Sequence, residues 1–173
     1  MNLCNASSKP MREMTVYVDV EFATEDDSAP GSDEIAVWVN RAVEASGRDA
    51  QVEISVRVVD AREMQQLNSE YRDQDRPTNV LSFPAGGIDG LPADVPRPLG
   101  DIVVCAVVVN KEAEQQDKSV ANHWAHMMIH GTLHLLGFDH ESDSDAVAME
   151  GLETRILSDY GIASPYGESP QET

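Results

Sequence analysis

HGTLHLLGFDH, residues 130–140, places three histidines in an H-x3-H-x5-H array with Gly137 between the second and the third. Read back to Ala125, the segment AHMMIHGTLHLLG is apolar almost all round, which marks a buried helix. On such a helix His130 and His134 stand one turn apart on one face, separated by roughly 6 Å along the axis. Two imidazoles at that spacing meet one zinc ion held about 2.0–2.1 Å from each ring nitrogen. Gly137 suits the left-handed residue that ends a helix, so the chain turns back and carries His140 to the same ion. Three protein ligands with a fourth position left to water describe a catalytic zinc rather than a structural one. The expectation is one Zn2+ per chain on His130, His134 and His140. The bland alternative, ordinary histidines in a His-bearing stretch, meets the difficulty that imidazole is seldom buried without a partner.

His126 continues the same helix face but lies roughly 12 Å along the axis from His134, too far for one ion to join 126, 130 and 134. It is expected beside the ligands or in the core, lining the cleft at most. His123, a turn earlier, reads as a surface or helix-end residue. Asp139, next to His140, has two readings: a carboxylate that orients an imidazole or holds a water, or one that caps the turn.

The chain has 173 residues, a length suited to one domain around one core. Its 31 acidic and 12 basic residues give a formal net charge of -19, which is no positive footprint for nucleic acid. Arg57, Arg62, Arg72 and Arg76 nevertheless fall close together in mid-chain, and with Arg97 they form the one cluster able to make a local basic track. Cys4 and Cys105 provide no disulfide framework, and Cys105 sits in the apolar run IVVCAVVV as a buried free thiol. No apolar run approaches the roughly twenty residues of a membrane span, and the first 13 residues lack a signal-peptide core. A cytoplasmic protein without a membrane partner is expected. Its organisation is read as a disordered leader over 1–13, a single domain over 14–161 and a flexible tail over 162–173, with Met11 or Met14 as alternative starts.

TVYVDVEF (15–22) and QVEISVRVV (51–59) alternate as half-buried strands. Between them Ile35, Trp38, Val39, Ala42 and Val43 trace one helix face, started by Ser32 or Asp33 as cap and stopped near Gly47. Asp60 caps a second helix that runs out near Tyr71. NVLSFP is a short strand, residues 85–100 a long excursion, and GDIVVCAV a strand buried on both faces. Helices over about 107–117 and 120–136 follow, then one carrying Met149, Leu152, Ile156 and Tyr160. The fold class is α+β: a single domain with a small mixed four-stranded sheet packed with about five helices.

A second segment, LNSEYRDQDRPTNVLSFP over residues 67–84, joins the histidine array through GDIVVCA and E-A-E-Q-Q. In this order, from about residue 14 to 161, the chain resembles the YbeY-type endoribonucleases, a family of rRNA maturation factors. The patterns HGxLHLLGxDH and YRxxDxPTNVLSFP carry the resemblance. Phe138 stands where that family commonly has tyrosine. The resemblance implies a single α+β domain and a metal-dependent, single-strand-selective endoribonuclease acting in rRNA maturation and ribosome quality control. It carries zinc ligands onto His130, His134 and His140 and a functional arginine onto Arg72, so that Arg72 and His130 are the expected catalytic residues. It implies single-stranded rRNA as substrate, with the ribosome or its small-subunit proteins and assembly factors as partners.

The chemistry agrees with those residue types. Zinc lowers the pKa of bound water and polarises a phosphoryl oxygen. Arg72 offers a planar fork to a phosphate, although by sequence alone a surface ion pair with Asp73 or Asp75 is the stronger reading, and only the resemblance lifts it. Attack by a metal-activated hydroxide and attack by the substrate 2'-OH are both compatible. A metzincin-like metalloprotease shares the ligand spacing, but its H-E-x-x-H motif needs a glutamate where this chain has Gly131; Glu141 or Asp139 would have to substitute. A third reading is a ribosome-associated binding module with a structural metal, which an unseen fourth ligand would support.

Overall fold

In the computed structural model of the protein, residues 14–48 and 51–167 are described. The expected leader lies outside them, as do residues 168–173 of the expected tail. The elements are β1 Val16–Ala23, α1 Ser32–Ala45, β2 Val52–Val59, α2 Ala61–Arg72, β3 Val80–Pro84, β4 Arg97–Cys105, α3 Ala106–Gln115, α4 Val120–Leu135 and α5 Asp143–Asp159. The sheet order is β1-β2-β4-β3, with β1, β2 and β4 parallel and β3 antiparallel to β4. This is the expected α+β domain with one mixed four-stranded sheet and, among the described residues, five helices.

Side chains along β3 and β4 alternate between two cores, as the period of two requires. Val80, Ile102 and Val104 face the larger core with α1, α3, α4 and α5, where Trp124, Met128, Ile129 and Leu133 are fully buried. Leu81, Val103 and Cys105 face the opposite side, where Met64 and Leu67 of α2 cover them. Burial on both faces explains the unbroken apolar run of β4. The buried face of α1 is the one expected: Ile35, Trp38, Val39, Ala42 and Val43. Its start differs. Gly31 takes the N-cap with no side-chain bond, and Asp33 and Glu34 instead place charge in the first turn, toward the positive end of the helix dipole. Asp60 does cap α2, accepting from the Glu63 amide at 2.8 Å.

The long excursion is shorter than its composition suggests, because β4 begins at Arg97 and pairs with β2 from there. The register shifts between Glu53 and Ile54, leaving Leu99 as the extra residue opposite them. Gly100 follows with φ +137°, and a Cβ there would overlap the Phe83 carbonyl oxygen. Only glycine lets β3 close on β4 at this bulge.

The start of β3 is pinned from the other end. Asn79 accepts from the Val80 amide at 2.6 Å through its side chain, and its carbonyl accepts from the Cys105 amide at 2.9 Å. The Asn79 amide group also donates to the Glu112 carboxylate at 3.1 and 3.2 Å. That carboxylate lies 2.8 Å from Nε2 of His123, which is 3 % exposed. His123 is thus a helix-end residue, one of the two readings its position allowed, but it is buried as a tie between α3 and α4 and not on the surface. Burial pushes the Glu112 carboxyl up, but the hydrogen bonds from His123 and Asn79 outweigh it and leave the group below its ordinary value.

Two outcomes follow. Gly100→Ala should destabilise the protein by about 2–3 kcal/mol, through the disfavoured φ and the overlap with β3. Thermal unfolding would then show Tm lowered by roughly 5–10 °C, whereas an unchanged Tm would remove the constraint on the bulge. Because the folded-state pKa of Glu112 is depressed, its contribution is present above the ordinary carboxyl value of 4.5 and is lost as pH falls below it. Glu112→Gln should therefore lower Tm at pH 7, and the gap from the parent should narrow as the pH is taken below 4.5. A gap independent of pH would assign the loss to packing.

Candidate metal centre

Helix α4 opens at Ser119, whose hydroxyl accepts from the Asn122 amide, and its apolar residues seat it between the sheet and α5. At Gly131 the helix backbone comes unusually close to the sheet: a Cβ there would lie 3.3 Å from Val80, Ser82 and Ile102. Ser82 donates its hydroxyl to the Gly131 carbonyl at 2.9 Å. His130 and His134 leave the helix toward the end of the sheet where β3 begins, with ring centroids 4.6 Å apart.

The hydrogen bonds of these two rings select their tautomers. Nδ1 of His130 lies 2.5 Å from Oε1 of Glu153, and Nδ1 of His134 lies 3.1 Å from the Phe138 carbonyl oxygen. Both partners are acceptors, so both Nδ1 atoms donate and both Nε2 atoms present lone pairs. Those two Nε2 atoms face each other at 3.1 Å. Facing lone pairs repel unless a cation lies between them. The separation is near the roughly 3.3 Å expected for two imidazoles bound tetrahedrally to zinc. Burial, then the neighbouring His130 and His140 rings, lower the pKa of His134 and favour the neutral form a metal needs.

The turn after α4 supplies the third ring. Gly137 has φ +95°, and the Phe138 amide returns to the Leu133 carbonyl at 3.1 Å. His140 stacks on His130 at 5.1 Å with a 19° interplanar angle and meets His134 edge-on at 4.9 Å. One ligand atom from each of His130, His134 and His140 lies within 4.8 Å of the others, a group able to hold a single metal ion. The donor set fits zinc. Asp139 accepts from the His140 amide at 2.6 Å, so it shapes the turn while lining the cleft.

A cleft of about 810 Å³ runs from this cluster to the loop between α2 and β3. Arg72, the last residue of α2, lines its far wall with Arg76, and among the described residues neither side chain is ion-paired. Asp75, one of the expected partners of Arg72, is instead hydrogen-bonded by Gln65 at 3.0 Å. The loop is anchored from beneath by buried Asn68, which donates to the Arg76 carbonyl at 2.8 Å, and by Asp73 in the left-handed conformation. The other arginines of the expected track do not reach this cleft. Arg57 is held by Glu21 at 2.5 Å and by Glu63, in the first turn of α2, at 2.9 Å, and Arg62 and Arg97 line separate hollows.

Glu153 and Tyr166 were not among the expected site residues. Glu153 is fully buried on α5, with Oε1 on His130 and Oε2 accepting from the Tyr166 hydroxyl. Burial raises its pKa, but hydrogen bonds involving His126, His130 and Tyr166 outweigh that and bring it down to about 2. The available signal was an acid inside the apolar stripe Met149, Leu152, Ile156 of an otherwise ordinary amphipathic helix. His126 lies 3.5 Å from the same carboxylate, beside the triad and not within it. Residues 162–167, read in the sequence as the start of a loose tail, lie back on α5: Ile162 packs on the main core and Tyr166 reaches Glu153.

This arrangement sits in a chain whose residues 19–161 match the family model described as Endoribonuclease YbeY. The chain is similar to a protein of Alcanivorax borkumensis named Endoribonuclease YbeY, at 46 % identity over 92 % of this chain and 91 % of the relative. A protein of Halorhodospira halophila with the same name is 50 % identical over 82 % of this chain and 90 % of its own length. A solution structure of a Thermotoga maritima protein superposes with a TM-score of 0.54 at 25 % identity, covering 90 % of this chain and 99 % of that one. By the length of the family match and the identity of these relatives, the chain belongs to the YbeY endoribonuclease family.

Proposed function

We propose that this protein is a zinc-dependent endoribonuclease selective for single strands, acting in cytoplasmic rRNA maturation and ribosome quality control. The observation that carries the reading is the placement of three converging imidazoles across one cleft from the unpaired guanidinium of Arg72. His130, His134 and His140 would hold the ion, which when bound supplies Lewis acidity toward water and phosphoryl oxygen. Arg72 binds and orients the phosphate through two parallel N–H donors and meets the charge that grows on it. Arg76 adds positive potential along the same wall. The turn carrying Asp139 and Glu141 forms the acidic rim.

Peptide hydrolysis has less support. A glutamate at position 131 would be driven into Val80, Ser82 and Ile102, on the side of α4 that faces the sheet and not the cleft. No helix of the described residues is long and apolar enough to cross a membrane. At a net charge of -19, with Arg57 neutralised by Glu21 and Glu63, affinity for naked RNA must come from very few cations. Recruitment therefore falls to the ribosome itself, through its small-subunit proteins or assembly factors.

Three measurements test this reading. Metal analysis should find about one zinc per chain in the parent, retained in His126→Ala and lost in His134→Ala, with chelation abolishing RNA cleavage. Full occupancy in His134→Ala would sink the ligand assignment. Arg72→Lys should fold and hold metal yet cleave a short unstructured RNA on the order of 100-fold more slowly, because an ammonium cannot form the fork. Equal turnover would return Arg72 to the surface. Binding to that RNA should be weak and should fall steeply across a salt series, while binding to ribosomal subunits should resist salt better; tight, salt-insensitive binding to naked RNA would contradict the recruitment argument.

A further inference from the structure

Glu153 is the one carboxylate fully buried among the described residues, and both of its oxygens are engaged. Removing a charge from water costs several kcal/mol unless hydrogen bonds replace the lost solvation. Here the replacement comes from one place. Oε1 meets Nδ1 of His130 at 2.5 Å, while Oε2 accepts from the Tyr166 hydroxyl and lies 3.5 Å from Nε2 of His126. His126 and Tyr166 also meet each other edge-on, with ring centroids 5.8 Å apart.

A tie that merely joined α5 to α4 would have no need of an imidazole from the metal triad. Without an acceptor at Nδ1, the His130 ring is free to change tautomer or rotate about its terminal torsion, and its Nε2 lone pair is then no longer held toward His134 and His140. A carboxylate at that atom fixes the tautomer, locks the ring plane and makes the ligand nitrogen more basic. A carboxylate that is itself free to turn would do this poorly. Tyr166 removes that freedom by occupying the second oxygen, and it arrives from the segment beyond α5.

We propose that Glu153 and Tyr166 are positioning residues for the metal ligand His130, so that the hydrogen bond from the Tyr166 hydroxyl to Glu153, brought in by the segment beyond α5, sets how tightly the ion is held. The proposal rests on the reading of His130, His134 and His140 as the metal site. Tyr166 is 41 % exposed, so the last member of this chain of contacts stands at the surface and links the outside of the protein to its metal affinity. Ser164 holds the same segment through Thr154 at 3.1 Å and accepts from the Tyr166 backbone amide at 3.3 Å, but it bonds neither the Tyr166 hydroxyl nor Glu153, which makes it the control for simple docking.

The test measures the zinc Kd by competition with a chromogenic chelator, the visible spectrum of the cobalt(II)-substituted protein and the Tm of the metal-free protein. Glu153→Gln should weaken zinc by about 10–100-fold, the range for a lost outer partner of a ligand. Tyr166→Phe should weaken it in the same direction by a smaller factor, and both should alter the cobalt spectrum. Ser164→Ala, which keeps the Tyr166 hydroxyl, should change affinity and spectrum less than Tyr166→Phe does. If Glu153→Gln does not fold, Tyr166→Phe decides alone. Parental affinity and spectrum in Tyr166→Phe would overturn the proposal, as would a loss of affinity that Ser164→Ala reproduces. Those results, with zinc still lost in His134→Ala, would overturn the positioning role and leave the metal site standing. A parent protein that binds no zinc would overturn both.

Discussion

The close approach of α4 to the sheet at Gly131 is the constraint from which the rest of the site follows. With no side chain at that position, the helix backbone settles against Val80, Ser82 and Ile102, and the Ser82 hydroxyl takes up the Gly131 carbonyl. At 3.6 residues per turn, His130 lies about 100° and His134 about 60° around the helix from Gly131, both on the same flank. His130 and His134 are thereby aimed past the end of β3, where the chain from α2 enters. The same contact explains why no glutamate stands between His130 and His134: that position is spent on packing.

Two kinds of charge management operate in this molecule. Over most of it, acids are left exposed or are paired with the few cations, as Arg57 is with Glu21 and Glu63. Around the cleft the pattern reverses. Arg72 and Arg76 lack carboxylate partners among the described residues, and the acid bonded to His130, Glu153, is buried, while Asp139 and Glu141 stay on the rim beside His140. A strongly negative protein thus keeps a small local region able to receive a phosphate. Long-range repulsion of polyanions remains, and it disfavours indiscriminate RNA binding more than it disfavours cleavage of a substrate already delivered.

Local signals carried far in this chain. Periodicity and apolar runs located the described helices and strands, and the spacing of His130, His134 and His140 with Gly137 between them anticipated the convergence of three rings, because turn chemistry and helical pitch are properties of short segments. Failures occurred where distant residues decide. The extent of β4 was missed because pairing with β2 overrides a loop-like composition. His123 looked exposed because its partner Glu112 lies on another helix. Arg57 seemed to belong with Arg72 by proximity in sequence, yet Glu21 and Glu63 hold it at the other end of α2. Glu153 went unnoticed for the same reason: an acid in an apolar stripe becomes meaningful only when α5 is laid against α4.

The three imidazoles differ in how firmly the chain holds them. His130 and His134 belong to a buried helix, whereas His140 lies outside it, exposed, on a turn begun by Gly137 and shaped by Asp139. An ion bound here would be gripped by two fixed donors and one that can swing away. Its exchange with the surroundings would proceed one bond at a time, beginning at His140, at a rate set by the opening of that turn and not by melting of α4. Thermodynamic affinity and kinetic lability would then be separately adjustable, the first through the helix and the second through a few residues of loop.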